Sequence, residues 1–387
     1  MPNNLQGLVP TIFAQGLKAL RSNCVMPSLV NSDFGTEVKE KGDTIQVPVP
    51  SMVPVQDVVP GPVAPDPQGI SPGKVSIPLN NWKEAPFYLT EKELAQIVDG
   101  VVPIQLSGAI ESLATTINAS ILNCYKGVYG FVGTPGTTPF AADLSASTQA
   151  RKVLGIQKAP TQNRRIVLSP DGEANALGLP QFTNAMAAAD DGVIREGIIG
   201  RKLGFDWAMD QQIPTHNAGS ITGTVTVSGA QAVANGSMDG GATGVITLAT
   251  AAGAAINLVQ GDILTYAGDK QTYVVLAPVS AGGSSTVTVN TAPALRVPKN
   301  GGEVVQVAAP HVVNLAFHRD AFAFASRQLG NQSLTKEADD TFQVADPVSG
   351  LTLRLSYREE FHRTRLAFDS LWGVGLVRPE LGVRIAG

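Results

Sequence analysis

Between Pro103 and Lys126 the sequence repeats one spacing. Leu106, Ile110, Leu113, Ile117, Ile121 and Cys124 recur at steps of three and four, which places them on one face of a helix. Glu111, Thr115 and Asn118 fall mostly on the other side. At 1.5 Å per residue such a helix runs about 36 Å, long for a globular domain. Gly127 and Gly130 end it, as glycine beyond the last periodic residue usually does. Upstream, Thr90 and Glu93 have capping-box spacing, which predicts a short helix from Thr90. It stops or bends near Gly100 and Pro103, because proline removes a backbone donor. Little in this stretch carries chemistry. It reads as a beam on which other layers rest.

Before the beam, Leu5 to Arg21 has apolar residues at helical steps, broken by Pro10 and Gly16, and predicts a short N-terminal helix. Thr44 to Ser51 and Lys74 to Leu79 alternate like edge strands, with prolines that a central strand would not accept. Val53 to Pro72 between them is crowded with proline. Two edge strands joined by such a tip predict an extended arm, marginal in isolation and needing a neighbour. Trp82, Phe87 and Tyr88 lead back to the beam.

After the beam, Gly130 to Pro139 lacks the Lys-Ser/Thr ending of a phosphate loop and reads as a flexible connector. From Leu144 the pattern is α/β: a helix to Leu154, then a strand over Arg164 to Ser169. A second helix has Ser169 as cap, Pro170 at its first position, and its end at Gly178. Val193 to Asp210 reads as strand and turn. From Asn217 the composition shifts. Ile221 to Val227, Val245 to Leu248, Asp262 to Tyr266, Gln271 to Leu276, Ser284 to Val289 and Val304 to Val307 are short strands with glycine-rich turns, the pattern of a small β-barrel or sandwich. The α/β pattern then resumes with a strand over Val312 to Phe317 and a helix over Arg319 to Leu329, so the β-unit is an insertion. Leu351, Leu353, Leu355 and Tyr357 alternate as a half-buried strand, which Arg358 to Phe368 continues.

Charged residues are 16% of the 387, against roughly a quarter in a typical soluble domain. Either copies of the chain cover much of the surface, or the surface is simply rich in small residues, 40 of which are glycine. The net charge of −4 argues against strong electrostatic binding of nucleic acid. Cys24 and Cys124 lack metal-type spacing and read as reduced core thiols of a cytosolic protein. The start resembles no signal peptide, and no apolar run is long enough to span a membrane. His216, His311, His318 and His362 form no ligand pair. His318 precedes a predicted helix and suits its N-terminus. Arg354, Arg358, Arg363 and Arg365 lie near Glu359, Glu360 and Asp369, and read as interstrand or intersubunit ion pairs. Nothing resembles an active site.

The order of these segments resembles the major capsid (coat) proteins of tailed bacteriophages, with the Hong Kong 97 type fold, and most of all the short-tailed phage coats with an inserted β-barrel. The wording of Leu29 to Phe34, Lys41 to Val47, Leu315 to Phe322, Arg365 to Gly373 and Arg378 to Ile385 carries the resemblance, which covers essentially the whole chain. It implies an α+β fold: an N-terminal arm over 1–40, an extended β-arm over 41–89, a peripheral domain with a spine helix over 90–143 and 343–387, an α/β axial domain over 144–216 and 308–342, and an inserted β-barrel over 217–307. It implies a structural protein and no enzyme, self-assembling into an icosahedral shell around packaged double-stranded DNA. The partners expected are copies of itself in hexamers and pentamers, a scaffolding protein, a portal protein and a decoration protein, with weak nonspecific contact to DNA and none to membrane. The expected locations are the virion and, during assembly, the host cytoplasm. Noncovalent contacts between copies are expected at Val49, Val53, Val55, Pro65, Ile70, Trp82, Arg363, Arg365, Arg378 and Glu380, with no catalytic, cofactor or metal site. The alternatives are a bacterial nanocompartment shell and a β-rich binding or adhesin protein working through residues 217–307.

Overall fold

The computed structural model describes residues 24–33, 44–49, 73–90, 92, 104–184, 196–233, 242–327, 341–345 and 351–387. The helix expected over Leu5 to Arg21 and the arm tip from Val53 to Pro72 lie outside these residues. So does nearly all of the helix expected from Thr90.

A short helix α1 (Met26–Leu29) comes first. Strands β1 (Thr44–Val49), β2 (Gly73–Pro78) and β3 (Asn81–Thr90) follow. Thr90 therefore ends a strand. The beam forms as its spacing predicts: α2 (Ile104–Leu122) runs into a 3-10 turn over Asn123–Gly127. Ile110, Leu113, Ile117 and Ile121 are all buried, while Glu111 and Thr115 face out. Asn118 does not. It is fully buried, because α1 and the Asp210 loop cover a second flank of the helix. Its Oδ1 accepts the Met26 N–H at 3.0 Å, and its Nδ2 donates to Asp210 Oδ2 at 2.6 Å.

The predicted connector opens with a strand, β4 (Gly130–Gly133). Then come α3 (Ser145–Ile156), β5 (Arg164–Leu168), α4 (Pro170–Gly178) and α5 (Pro180–Thr183). Ser169 caps α4 by accepting the Gly172 N–H, as its place before Pro170 predicts. Strands β6 (Arg201–Lys202), β7 (Phe205–Met209) and β8 (Thr215–His216) complete this part.

The β-rich stretch holds β9 (Ser220–Thr222), β10 (Val225–Val227), β11 (Gly244–Thr250), β12 (Ala255–Leu258), β13 (Ile263–Tyr266), β14 (Tyr273–Val275), β15 (Val279–Gly282), β16 (Thr286–Ala292) and β17 (Val305–Val307). Gly223, at φ +75°, breaks the single strand expected over Ile221 to Val227 into β9 and β10. Six strands form one antiparallel sheet in the order β10-β11-β16-β14-β13-β17. A bridge between Thr226 and Val304 brings its two ends together. The inward residues, among them Val225, Leu248, Tyr273 and Val289, form a core of their own.

The last strands are β18 (His311–His318), β19 (Phe322–Arg327), β20 (Thr341–Ala345), β21 (Thr352–Glu360), β22 (Arg363–Leu376) and β23 (Gly382–Ala386). The helix expected over Arg319 to Leu329 is not formed. Arg319–Ala321 makes one 3-10 turn, capped by His318, and β19 then pairs with β22. Alternation explains the strand: Phe322 and Phe324 enter the main core, while Ala323 and Ala325 face the opposite side.

Two further sheets organise the body. One runs β4-β23-β18-β5-β7-β6, with β8 joined to β18, and is flanked by α3 and α4. The other runs β19-β22-β21-β20, with β3 also paired to β22. Leu366, Phe368 and Trp372 of β22 share one core with α2. Trp372 also donates its indole N–H to Ser120 on the helix at 2.9 Å. The molecule is mixed α+β and dominated by strands.

Candidate functional site

Alternation along β22 gives its sheet two different faces. Leu366, Phe368 and Trp372 face α2, so Arg363, Arg365, Asp369 and Leu371 face the other way. At one end of this outer face sits the ribbon of β1 and β2, paired from Thr44 with Pro78 to Val49 with Gly73. Ile45, Val47, Ile77 and Leu79 pack on Ala323, Ala325 and Leu371. The contact is close because Gly373 has no side chain: a Cβ there would meet the Pro78 carbonyl oxygen at 2.7 Å. The ribbon's other face, with Thr44, Gln46, Lys74 and Ser76, is exposed.

At the other end lies an array of aromatic and charged groups. The Trp82 indole N–H donates to Asp369 Oδ2 at 3.0 Å. Arg354 donates to both oxygens of Asp369, its Nε to Oδ1 at 2.8 Å. Arg365 donates to Glu84 at 2.9 Å, and Arg363 to Glu360 at 2.6 Å. The Arg363 guanidinium also lies 4.4 Å from the centre of the Tyr88 ring. These ion pairs thus have partners within the chain. Trp82 and Tyr88 remain nearly half exposed, so the array presents flat aromatic surface as well as charge.

The predicted contact residues divide accordingly. Trp82, Arg363 and Arg365 come together in the array. Val49 ends β1 and is half-buried. Arg378 and Glu380 lie apart and bind each other at 2.7 Å, with Glu380 largely buried. Val53, Val55, Pro65 and Ile70 lie outside the described residues. Glu84 and Tyr88 were not foreseen. Their signal was present, since Trp82, Glu84 and Tyr88 share one parity and Phe87 and Leu89 the other.

A second polar cluster, also unforeseen, lies where the β-rich stretch joins the body. His216 Nδ1 meets the Tyr125 hydroxyl at 3.0 Å, and its Nε2 meets Asp262 Oδ1 at 2.9 Å. Asp262 also accepts the N–H groups of Gly219 and Val259. Arg384 is completely buried, donates to the Gly261 carbonyl at 2.7 Å and covers the Tyr125 ring. Burial lowers its pKa to about 9. His311 sits against His216, and burial lowers its pKa to about 4. Tyr125, His216, Asp262, His311 and Arg384 are all buried. The cluster is a joint.

Burial pushes the thiols of Cys24 and Cys124 up to about 12, which makes them poor nucleophiles. Among the described residues no group of three or more His, Cys, Asp or Glu could hold a metal. Nor is any helix there long and apolar enough to cross a membrane.

No family model matches the sequence, and no curated protein matches it. Among solved structures, a chain from Mycobacterium phage Che8 is similar at 15% identity and TM-score 0.47, over 94% of this chain and 90% of that one. The capsid of cyanophage P-SCSP1u is similar at 10% identity and TM-score 0.49, over 94% and 88%. A virus-like particle from Pyrococcus furiosus is similar at 8% identity and TM-score 0.42, over 96% of both chains.

Proposed function

We infer that this chain is the major capsid subunit of a tailed phage, assembling into an icosahedral shell around packaged double-stranded DNA. The observation that carries the reading is the ribbon of β1 and β2. Its small core seats one face on the sheet, while the other face, with Thr44, Gln46, Lys74 and Ser76, is exposed and suited to meet a neighbour. The order of ribbon, long helix, α/β sheet, β-rich insertion and terminal strands also follows that of the coat proteins the sequence resembles.

In this reading α2 is the spine helix of a peripheral domain, and residues 217–307 are an inserted barrel closed at the bridge between Thr226 and Val304. In the same reading β19, which pairs with β22, goes with the peripheral domain, and β4 and β23, which pair with each other and with β18, go with the axial one. Contacts between copies fall on the arm, at Val49, Val53, Val55, Pro65 and Ile70, and on the array at Trp82, Arg363 and Arg365. Arg378 and Glu380 act by stiffening the turn before β23. Hexamers and pentamers form on a scaffolding protein in the host cytoplasm, around a portal protein. DNA is met only weakly.

Negative-stain electron microscopy of the purified protein, alone and with a scaffolding protein, tests this. Closed shells of uniform size, or mixed shells and spirals without scaffold, are expected. Monomers or small oligomers under every condition would overturn the reading.

A further inference from the structure

Among its described residues the insertion contains a buried group of reactive side chains that belongs neither to the joint nor to the array on β22. The side chains of Lys299 and Asp269 are 2% and 4% exposed, and Lys299 Nζ lies 2.7 Å from Asp269 Oδ2. A second carboxylate, on Glu303, places Oε2 3.9 Å from the same nitrogen. Glu303 is itself steadied by the Asn300 N–H, 2.7 Å from its Oε1. The two oxygens of Asp269 differ. Oδ1 accepts the Gln271 backbone N–H at 2.8 Å, and Oδ2 accepts the Tyr273 hydroxyl at 2.9 Å. The Tyr266 ring lies beneath the amine, 4.6 Å from its centre to Nζ.

We propose that Lys299 and Asp269 join in an intramolecular isopeptide bond, with Glu303 carrying a proton. An amine fixed against a carboxyl group has the rate advantage of any well-aligned intramolecular pair. The hydrogen bonds at Asp269 fix its two oxygens in different surroundings, and the Lys299 amine is held against Oδ2. Burial pushes the Asp269 carboxyl up, but Lys299, the Gln271 N–H and Tyr273 together hold it below the ordinary range. Asp269 therefore rests as the carboxylate, and the bond forms once folding has brought the two side chains together.

The step balances without a co-reactant. One proton passes from Nζ to Oδ2, and the neutral amine attacks Cγ. The Gln271 N–H stabilises the charge growing on Oδ1. Glu303 takes a second proton from the nitrogen and delivers it to Oδ2, where the Tyr273 hydroxyl already donates. The Cγ–Oδ2 bond breaks, one water leaves, and the amide between Nζ and Cγ keeps the third proton. The product ties the turn after β13 to the segment leading into β17, across 30 residues of sequence.

Intact-mass measurement of the full-length protein over several days, followed by peptide mapping, is the test. A species lighter by one water should accumulate, with a branched peptide joining Lys299 to Asp269. Lys299→Arg keeps the charge and should stay at full mass. Glu303→Gln should slow the accumulation by about a hundredfold, the scale of a positioned acid–base group. Full mass throughout in the unaltered protein would overturn the proposal. So would a water loss that persists in Lys299→Arg and maps to a succinimide at Asp269 alone.

Discussion

Replacing Asn118 by alanine removes the acceptor of the Met26 N–H and the Nδ2 donor to Asp210 in one step. Both partners are buried, so the loss should be about 2–3 kcal/mol, the cost of groups left without partners. Thr115→Ala, on the exposed flank of the same helix, should stay within about 0.5 kcal/mol. Urea unfolding of the two variants checks the contrast, and equal effects would mean that Asn118 is not a tie. His311 gives a second prediction, in pH. Burial holds its folded pKa near 4, below the ordinary 6.5, so between these values the unfolded chain binds the extra proton. Stability should therefore be full above about pH 6.5 and fall as pH drops toward 4, by up to about 3 kcal/mol. In His311→Asn, which does not titrate, the slope across that window should flatten. The neighbours His216, Asp262 and Arg384 remain in both proteins. An unchanged slope would mean that His311 does not carry the pH dependence.

Gly373 shows the same logic at the level of a whole element. A Cβ there collides with the backbone of the ribbon, where no flexible atom can yield. Gly373→Ala should cost about 1–3 kcal/mol as an overpacking change, and should lift β1 and β2 off the sheet. Hydrogen exchange is expected to rise in Thr44–Val49 and Gly73–Pro78, with α2 still protected. Intact protection of the ribbon would refute its close seat on Gly373. Elements written in local chemistry were legible in the sequence. Ser169, Pro170 and Gly178 mark both ends of α4, and the alternation of Leu351, Leu353 and Leu355 marks β21. Elements set by distant pairing were not. Asn81–Thr90 is a strand because β22 lies beside it, despite Pro86 and two adjacent charges. Gly130–Gly133 is a strand because β23 runs parallel to it. At Ala321 to Ala325 the alternation of alanine and phenylalanine outweighed a helical reading of the same letters. The joint was missed because His216, Asp262 and Arg384 share no spacing, only a place in space.

As a whole, the molecule has a body and a β-rich stretch with separate cores, which meet at the joint of His216, Asp262, Tyr125 and Arg384. Asp262→Ala strips His216 and two backbone N–H groups of their buried acceptor, a loss of about 3–5 kcal/mol. Calorimetry should then show the insertion melting before the body, in two transitions. A single transition would mean that the apolar contacts around Tyr129, Ile263 and Val274 suffice to couple the two. The pairing of β3 with β22 also bears on how the molecule is made. Trp82 and its partner Asp369 lie 287 residues apart. At about 5–20 residues per second, a ribosome delivers the second some 15–60 s after the first. Through that interval β3 and the ribbon have no sheet to join, and both are strands with open edges. Each nascent chain thus carries unpaired strand edges until β22 emerges, and anything that shields the early segments or keeps synthesis dilute should raise the folded yield.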